Sequence, residues 1–170
     1  MNKENILKQL HQHLKLQQKK LSLAESCTGG MLASTITEQA GSSLWFDRAY
    51  ITYSNQSKID LLSVNAKSLN LFGAVSEQVA KEMASGCLVN SRCDYALSIT
   101  GIAGPEGGSA EKPVGTIWFA LARRCKGITQ DKKQPLEVIS MLQNFTGDRQ
   151  QIREKAVCYA LTQLVDFINK

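Results

Sequence analysis

Histidine is almost missing from this chain. Its 170 residues include two, His11 and His13, both near the N-terminus. That removes the usual base of Ser-His-Asp and Cys-His schemes from the body of the protein. It also leaves too few imidazoles for a His-rich metal site. Cysteine offers no substitute: there are five, an odd number, with no C-x-x-C pair. Cys87 and Cys93 stand six apart, which fits no common zinc spacing. No apolar run approaches the roughly 18 residues of a membrane span. The polar N-terminus, MNKENILKQLHQHLKLQQKK, lacks the apolar core of a secretion signal. No membrane partner is expected, and a cytoplasmic location is. Aromatic residues make up only 6% and are not interleaved with the basic ones, which argues against a single-strand nucleic-acid binder. The net charge of +5 is explained equally well by attraction of a small phosphorylated substrate.

What is present reads as one α/β domain over residues 1–170, a length suited to a single core. Ile6, Leu7, Leu10 and Leu14 mark an N-terminal helix within residues 1–19. KLSLA is a short strand ending at Glu25. Residues 28–39 read as a helix stopped by Gly41. WFDRAYITYS is a strand, and NQSKIDLL a short helix with Asn55 as cap. Ser76 can cap the next helix, with Val79, Met83, Cys87 and Leu88 inward. DYALSIT, VGTIWFALAR and LEVISMLQNF are three further strands, the last two a hairpin. A final helix starts near Asp148. Alternation early and consecutive strands late predict a three-layer α/β/α domain with a mixed parallel and antiparallel sheet.

Several stretches carry candidate chemistry. AESCTGG, residues 24–30, lies where a strand meets a helix. Such a junction suits an anion, because helix N–H groups and the positive dipole end converge there. Ser26, Thr28, Gly29 and Gly30 are then ligand-holding candidates. A plain helix cap by Ser26 or Thr28 reads the same residues equally well. Cys27 is a thiolate candidate only if the helix end lowers its pKa. Downstream, GSSLWFDRAYITYSNQSK supplies Ser43, Tyr53 and Lys58. A neutral lysine can serve as base for a serine where histidine is lacking, and a tyrosine can relay the proton. One strand separates Ser43 from Lys58, so only the fold decides whether they meet. SAEK, residues 109–112, matches S-x-x-K literally, yet lies in a glycine-rich loop rather than on a helix. SITGIAGPEGG places Thr100 at a strand end, with Gly101 and Gly104 in a loop whose N–H groups can hold an oxyanion. Arg149, in the first turn of the last helix, opposes the helix dipole. That makes a grip on phosphate worth considering.

Taken together, AESCTGG, AGSSLWFDRAYITYSNQSKIDLLSV, GAVSEQVAKEMA, DYALSITGIAGPEGGSAEKPVGTIWFA and FTGDRQQIR resemble, in this order, the C-terminal domain family of the competence-damage-inducible protein CinA. The resemblance covers about residues 20–165. Larger members carry a further N-terminal nucleotide-processing domain, for which this chain is too short. The resemblance implies hydrolysis of the carboxamide of nicotinamide mononucleotide (NMN), in pyridine nucleotide recycling, by a Ser-Lys mechanism with no metal and no cofactor. It implies Ser43 as nucleophile, Lys58 as base, Tyr53 as its assistant, and Thr100 and Arg149 as substrate residues. It also suggests a homo-oligomer, a dimer or larger. Residues 127–143 look long and polar beside the family pattern. Two other readings stay open: an amidase for another small carboxamide, and a non-catalytic nucleotide-binding protein linked to competence or DNA damage.

Overall fold

The computed structural model describes residues 3–125 and 136–169. Its elements in chain order are α1 (Lys3–Leu16), β1 (Leu21–Glu25), α2 (Met31–Thr37), a 3-10 turn (Ser42–Leu44), β2 (Phe46–Ile51), α3 (Asn55–Leu62), α4 (Ala66–Phe72), α5 (Glu77–Val89), β3 (Tyr95–Gly101), β4 (Thr116–Arg124), β5 (Leu136–Asn144) and α6 (Arg149–Ile168). The sheet order is β2-β1-β3-β4-β5. β1 pairs in parallel with β2 and β3, and the remaining neighbours are antiparallel. The mixed three-layer α/β/α reading therefore holds, including the β4–β5 pairing. The connection between those strands, with most of the polar stretch noted above, lies outside the described residues.

Side-chain size sorts the two faces of the sheet. Leu21, Leu23, Leu97, Ile99, Phe119 and Leu121 pack into one core with α1 and α6. The alternate positions, Ala24, Ala96, Ala120 and Ala122, face α5. This is the period-2 alternation of a strand, with small residues on the side where a helix approaches closely. Ser98 fits there because its hydroxyl donates to the Ala80 carbonyl at 2.7 Å.

Local signals explain most boundaries. Asp148 and Ser76 cap α6 and α5 through their side chains, as expected. Two details differ. The cap of α3 is Ser54 rather than Asn55, and it forms a reciprocal capping box with Ser57. Helix α2 starts at Met31 rather than residue 28, because Gly29 and Gly30 hold positive φ angles of 56° and 93° and keep the preceding turn out of the helix. Helix α4 went unread: AKSLNLF has too short an apolar stripe, and its Asn65 cap was the available signal.

Helix α3 is fixed against α5 at Gly86. A Cβ built there would lie 1.9 Å from the Leu62 carbonyl oxygen. Neither backbone can yield without moving α3. Gly86→Ala should therefore destabilise the fold by about 3 kcal/mol through overpacking. Urea denaturation of the two proteins checks this.

Candidate active site

Parallel strands bring equivalent ends together. β1, β2 and β3 all run the same way, with Glu25 opposite both Ile51 and Ile99. Residues that follow these strands therefore share one edge of the sheet, the usual ligand edge of an open α/β fold. Ser26, Tyr53, Lys58, Thr100, Gly101, Gly104 and Arg149 line one cleft there, of about 260 Å³.

At the centre is Lys58. It lies in the second turn of α3 and is 1% exposed. Its Nζ is 3.0 Å from Ser26 Oγ and donates to the Thr52 carbonyl at 2.7 Å. Both partners are neutral. Burial thus acts on the amine without a compensating anion and pushes its pKa down to about 8. A neutral Lys58 keeps its donor bond to Thr52, and its lone pair then accepts the Ser26 hydroxyl hydrogen. Thr52 is itself held, its N–H donating to the Glu25 carbonyl at 2.8 Å. The amine and the serine hydroxyl are thus hung from neighbouring strand ends.

The geometry corrects the expected pairing of Ser43 with Lys58. Ser43 precedes β2, whereas Lys58 follows it. A strand of six residues puts roughly 17–20 Å between its ends. Ser43 sits at the opposite edge, where its carbonyl accepts from Lys20 Nζ at 3.4 Å. Ser26, expected as a ligand-holding residue or a cap, is the serine within reach of the amine. The neighbouring thiol does not compete. Burial raises Cys27 to about 12, so it stays protonated and poorly nucleophilic.

Glu25 organises the rest of AESCTGG. No N-terminal side chain within α2 caps the helix. Instead the Glu25 carboxylate accepts from the N–H groups of Gly30, Leu32 and Ala33 at 3.0, 3.1 and 2.8 Å. Of the expected anion cradle, the Gly30 N–H is taken by the chain's own carboxylate and the Gly29 N–H by the Ser26 carbonyl. Thr28 is buried, and its carbonyl accepts from Arg153 at 2.6 Å. Gly29 and Gly30 open on a separate groove beside Arg153.

The mouth of the cleft is arranged by Arg149. Its guanidinium donates to the Gly104 carbonyl at 2.6 Å and to the Tyr53 hydroxyl at 2.9 Å. Tyr53, 63% exposed, is thus placed with Arg149 at the rim. Thr100 is buried at the floor and donates to the Ala74 carbonyl at 2.9 Å. The N–H groups of Cys27, Ala103 and Gly104 meet no backbone carbonyl among the described residues. SAEK takes no part. It closes on itself through the Lys112 N–H to Ser109 Oγ, and Lys112 Nζ donates to the Phe72 carbonyl. Asn55, Ala74, Val75 and Glu106 also line the cleft. All four lie within the motif stretches quoted above, which gave them no ligand role. Among the described residues, no group of three or more His, Cys, Asp or Glu side chains could hold a metal ion, and no helix is long and apolar enough to cross a membrane.

Known proteins share this arrangement of chain. The nicotinamide-nucleotide amidohydrolase PncC of Escherichia coli is 49% identical over 157 residues, 92% of this chain and 88% of that protein. A CinA-like protein of Geotalea daltonii is 54% identical over 133 residues, 78% of this chain but 30% of its own length. Among solved structures, the competence damage-inducible protein A of Klebsiella pneumoniae superposes with a TM-score of 0.87 at 34% identity, covering 98% of this chain and 96% of that one. The competence/damage inducible protein of Agrobacterium tumefaciens gives 0.86 at 38% identity, covering 99% and 96%. The family model described as the CinA C-terminal domain matches residues 3–168. The chain therefore belongs to the CinA C-terminal domain family.

Proposed function

We propose that this protein hydrolyses the carboxamide of NMN to nicotinic acid mononucleotide and ammonia, with Ser26 as nucleophile and Lys58 as base. The 3.0 Å approach of Lys58 Nζ to Ser26 Oγ carries the mechanism. The likeness to PncC, named a nicotinamide-nucleotide amidohydrolase, carries the choice of substrate.

The steps follow from the side chains. Ser26 Oγ attacks the carboxamide carbon as neutral Lys58 accepts its proton. A serine is a weak nucleophile until such a base takes that proton. Oxygen charge develops in the tetrahedral adduct and is held by main-chain N–H groups, with Cys27, Ala103 and Gly104 as candidates. Lys58 returns the proton to the departing nitrogen, releasing ammonia and leaving an ester on Ser26. Water, deprotonated by the same amine, cleaves the ester. Arg149 spends two of its five N–H donors on Gly104 and Tyr53, and the remaining three are open to the 5′-phosphate. Tyr53 aims the guanidinium, in place of the proton relay expected of it. Thr100 shapes the floor under the pyridine ring.

Three outcomes test this reading in an ammonia-release assay with NMN. Ser26→Ala and Lys58→Ala should each lower kcat by at least about a thousandfold, while Ser43→Ala stays within about twofold. Near-normal turnover by Ser26→Ala would overturn the assignment of the nucleophile.

The pH profile reads the base. A lysine depressed to about 8 is protonated and inactive below that value and neutral above it. kcat/KM should therefore climb as pH rises from 7 to 9, with a midpoint near 8. A profile flat across that window would exclude Lys58 as the base.

Arg149→Ala should raise KM for NMN by about tenfold or more and leave kcat within a few-fold. The preference for NMN over its unphosphorylated riboside should shrink by the same factor. A preference unchanged in the variant would place the phosphate elsewhere.

A further inference from the structure

Glu25 is a fully buried acidic residue with no part in the chemistry above. Its carboxylate turns into the start of α2 and takes three N–H groups there. Helix α2 has no cap of its own: its N-cap is Gly30, at φ 93°. Between the carboxylate's own Cα and those three N–H groups runs the turn that carries Ser26. The Ser26 N–H is fixed on one side by the Ile99 carbonyl at 2.9 Å, and its carbonyl accepts from Gly29 N–H at 3.0 Å. The Glu25 backbone carbonyl holds Thr52, whose own carbonyl holds Lys58 Nζ. One residue therefore borders the nucleophile in sequence, closes its turn from within, and anchors the strand end that carries the base.

We propose that Glu25 is a positioning residue, whose side chain clamps the Ser26 turn so that the nucleophile meets Lys58 at reacting distance. Such a clamp matters because displacement by about 1 Å can cost a hundredfold in rate. Replacing the carboxylate by an amide loses one acceptor oxygen and turns an NH₂ toward backbone donors. Shortening it to aspartate keeps the charge but withdraws it by one methylene from the helix. Both changes loosen the turn and remove none of the groups that touch substrate. The inference rests on Ser26 as the nucleophile and is independent of which amide is cleaved.

The test uses Glu25→Gln and Glu25→Asp in the full chain. Kinetics with NMN run beside labelling of Ser26 by a fluorophosphonate, followed by mass spectrometry. In that reaction Ser26 Oγ bonds to phosphorus, fluoride leaves and Lys58 takes the hydroxyl proton, so the label reads positioning without NMN. Rates are expressed per folded molecule, from circular dichroism and thermal melting. The expected result is a loss of at least tenfold in both kcat and labelling rate, with KM within about threefold and the pH midpoint unchanged. Glu25→Asp decides the matter if Glu25→Gln does not fold. Rates within twofold of the parent protein in a folded variant would overturn the proposal, as would a change confined to KM. If the parent protein labels at Ser26 in a Glu25-dependent way but releases no ammonia from NMN, the clamp stands and the substrate reading falls.

Discussion

A lysine amine buried beside neutral partners is the constraint on which the site depends. Desolvating a cation is costly unless an anion lies close, and Lys58 is offered only a carbonyl and a hydroxyl. The fold resolves the conflict by favouring the uncharged amine. That same preference suits the residue to the base role proposed for it, in a domain whose body has no histidine. The cost of burying a cation thus bears on both stability and the proposed reactivity. The rigid surroundings, Gly86 against Leu62 and Ser54 closing the start of α3, keep the amine from escaping to water.

The sheet supplies the second half of the arrangement. Three parallel strands ending at one edge gather residues far apart in sequence: Ser26 after β1, Tyr53 and Lys58 after β2, Thr100 at the end of β3. The antiparallel β4 and β5 extend the sheet on the β3 side, away from β2 and Lys58, and Arg149 enters from the start of α6. Small residues facing α5 and large ones facing α1 and α6 fix the sheet between its layers. The cleft is thus a consequence of strand direction, and its walls are loops that need only follow.

Much of this was legible in the chain. Apolar spacing located α1, α5 and α6, and the β-branched and aromatic runs located the strands. The lack of histidine pointed to a lysine as candidate base. Ser26 was not paired with it, although the needed rule was at hand. If β1 and β2 are parallel, Ser26 and Lys58 follow strands that end together, while Ser43 precedes one of them. Matching motif to motif hid what direction would have shown. The role of Glu25 was less accessible. A strand-ending glutamate is ordinarily solvated, and only coordinates reveal that it bends into the following helix. Val75 and Glu106 reach the cleft through loop geometry, which local sequence does not encode, and Asn55 reaches it from the first turn of α3.

Cys27 stands directly beside Ser26, yet burial holds its proton. Peroxide and electrophilic thiol reagents act on thiolates, and an alcohol has no comparable route to reversible oxidation. With Ser26 as the proposed nucleophile, the turn itself offers no thiolate for such reagents to modify. On the proposed mechanism the agents that reach the site are acylating and phosphonylating ones, the reagents of a serine enzyme, despite a cysteine at the next position.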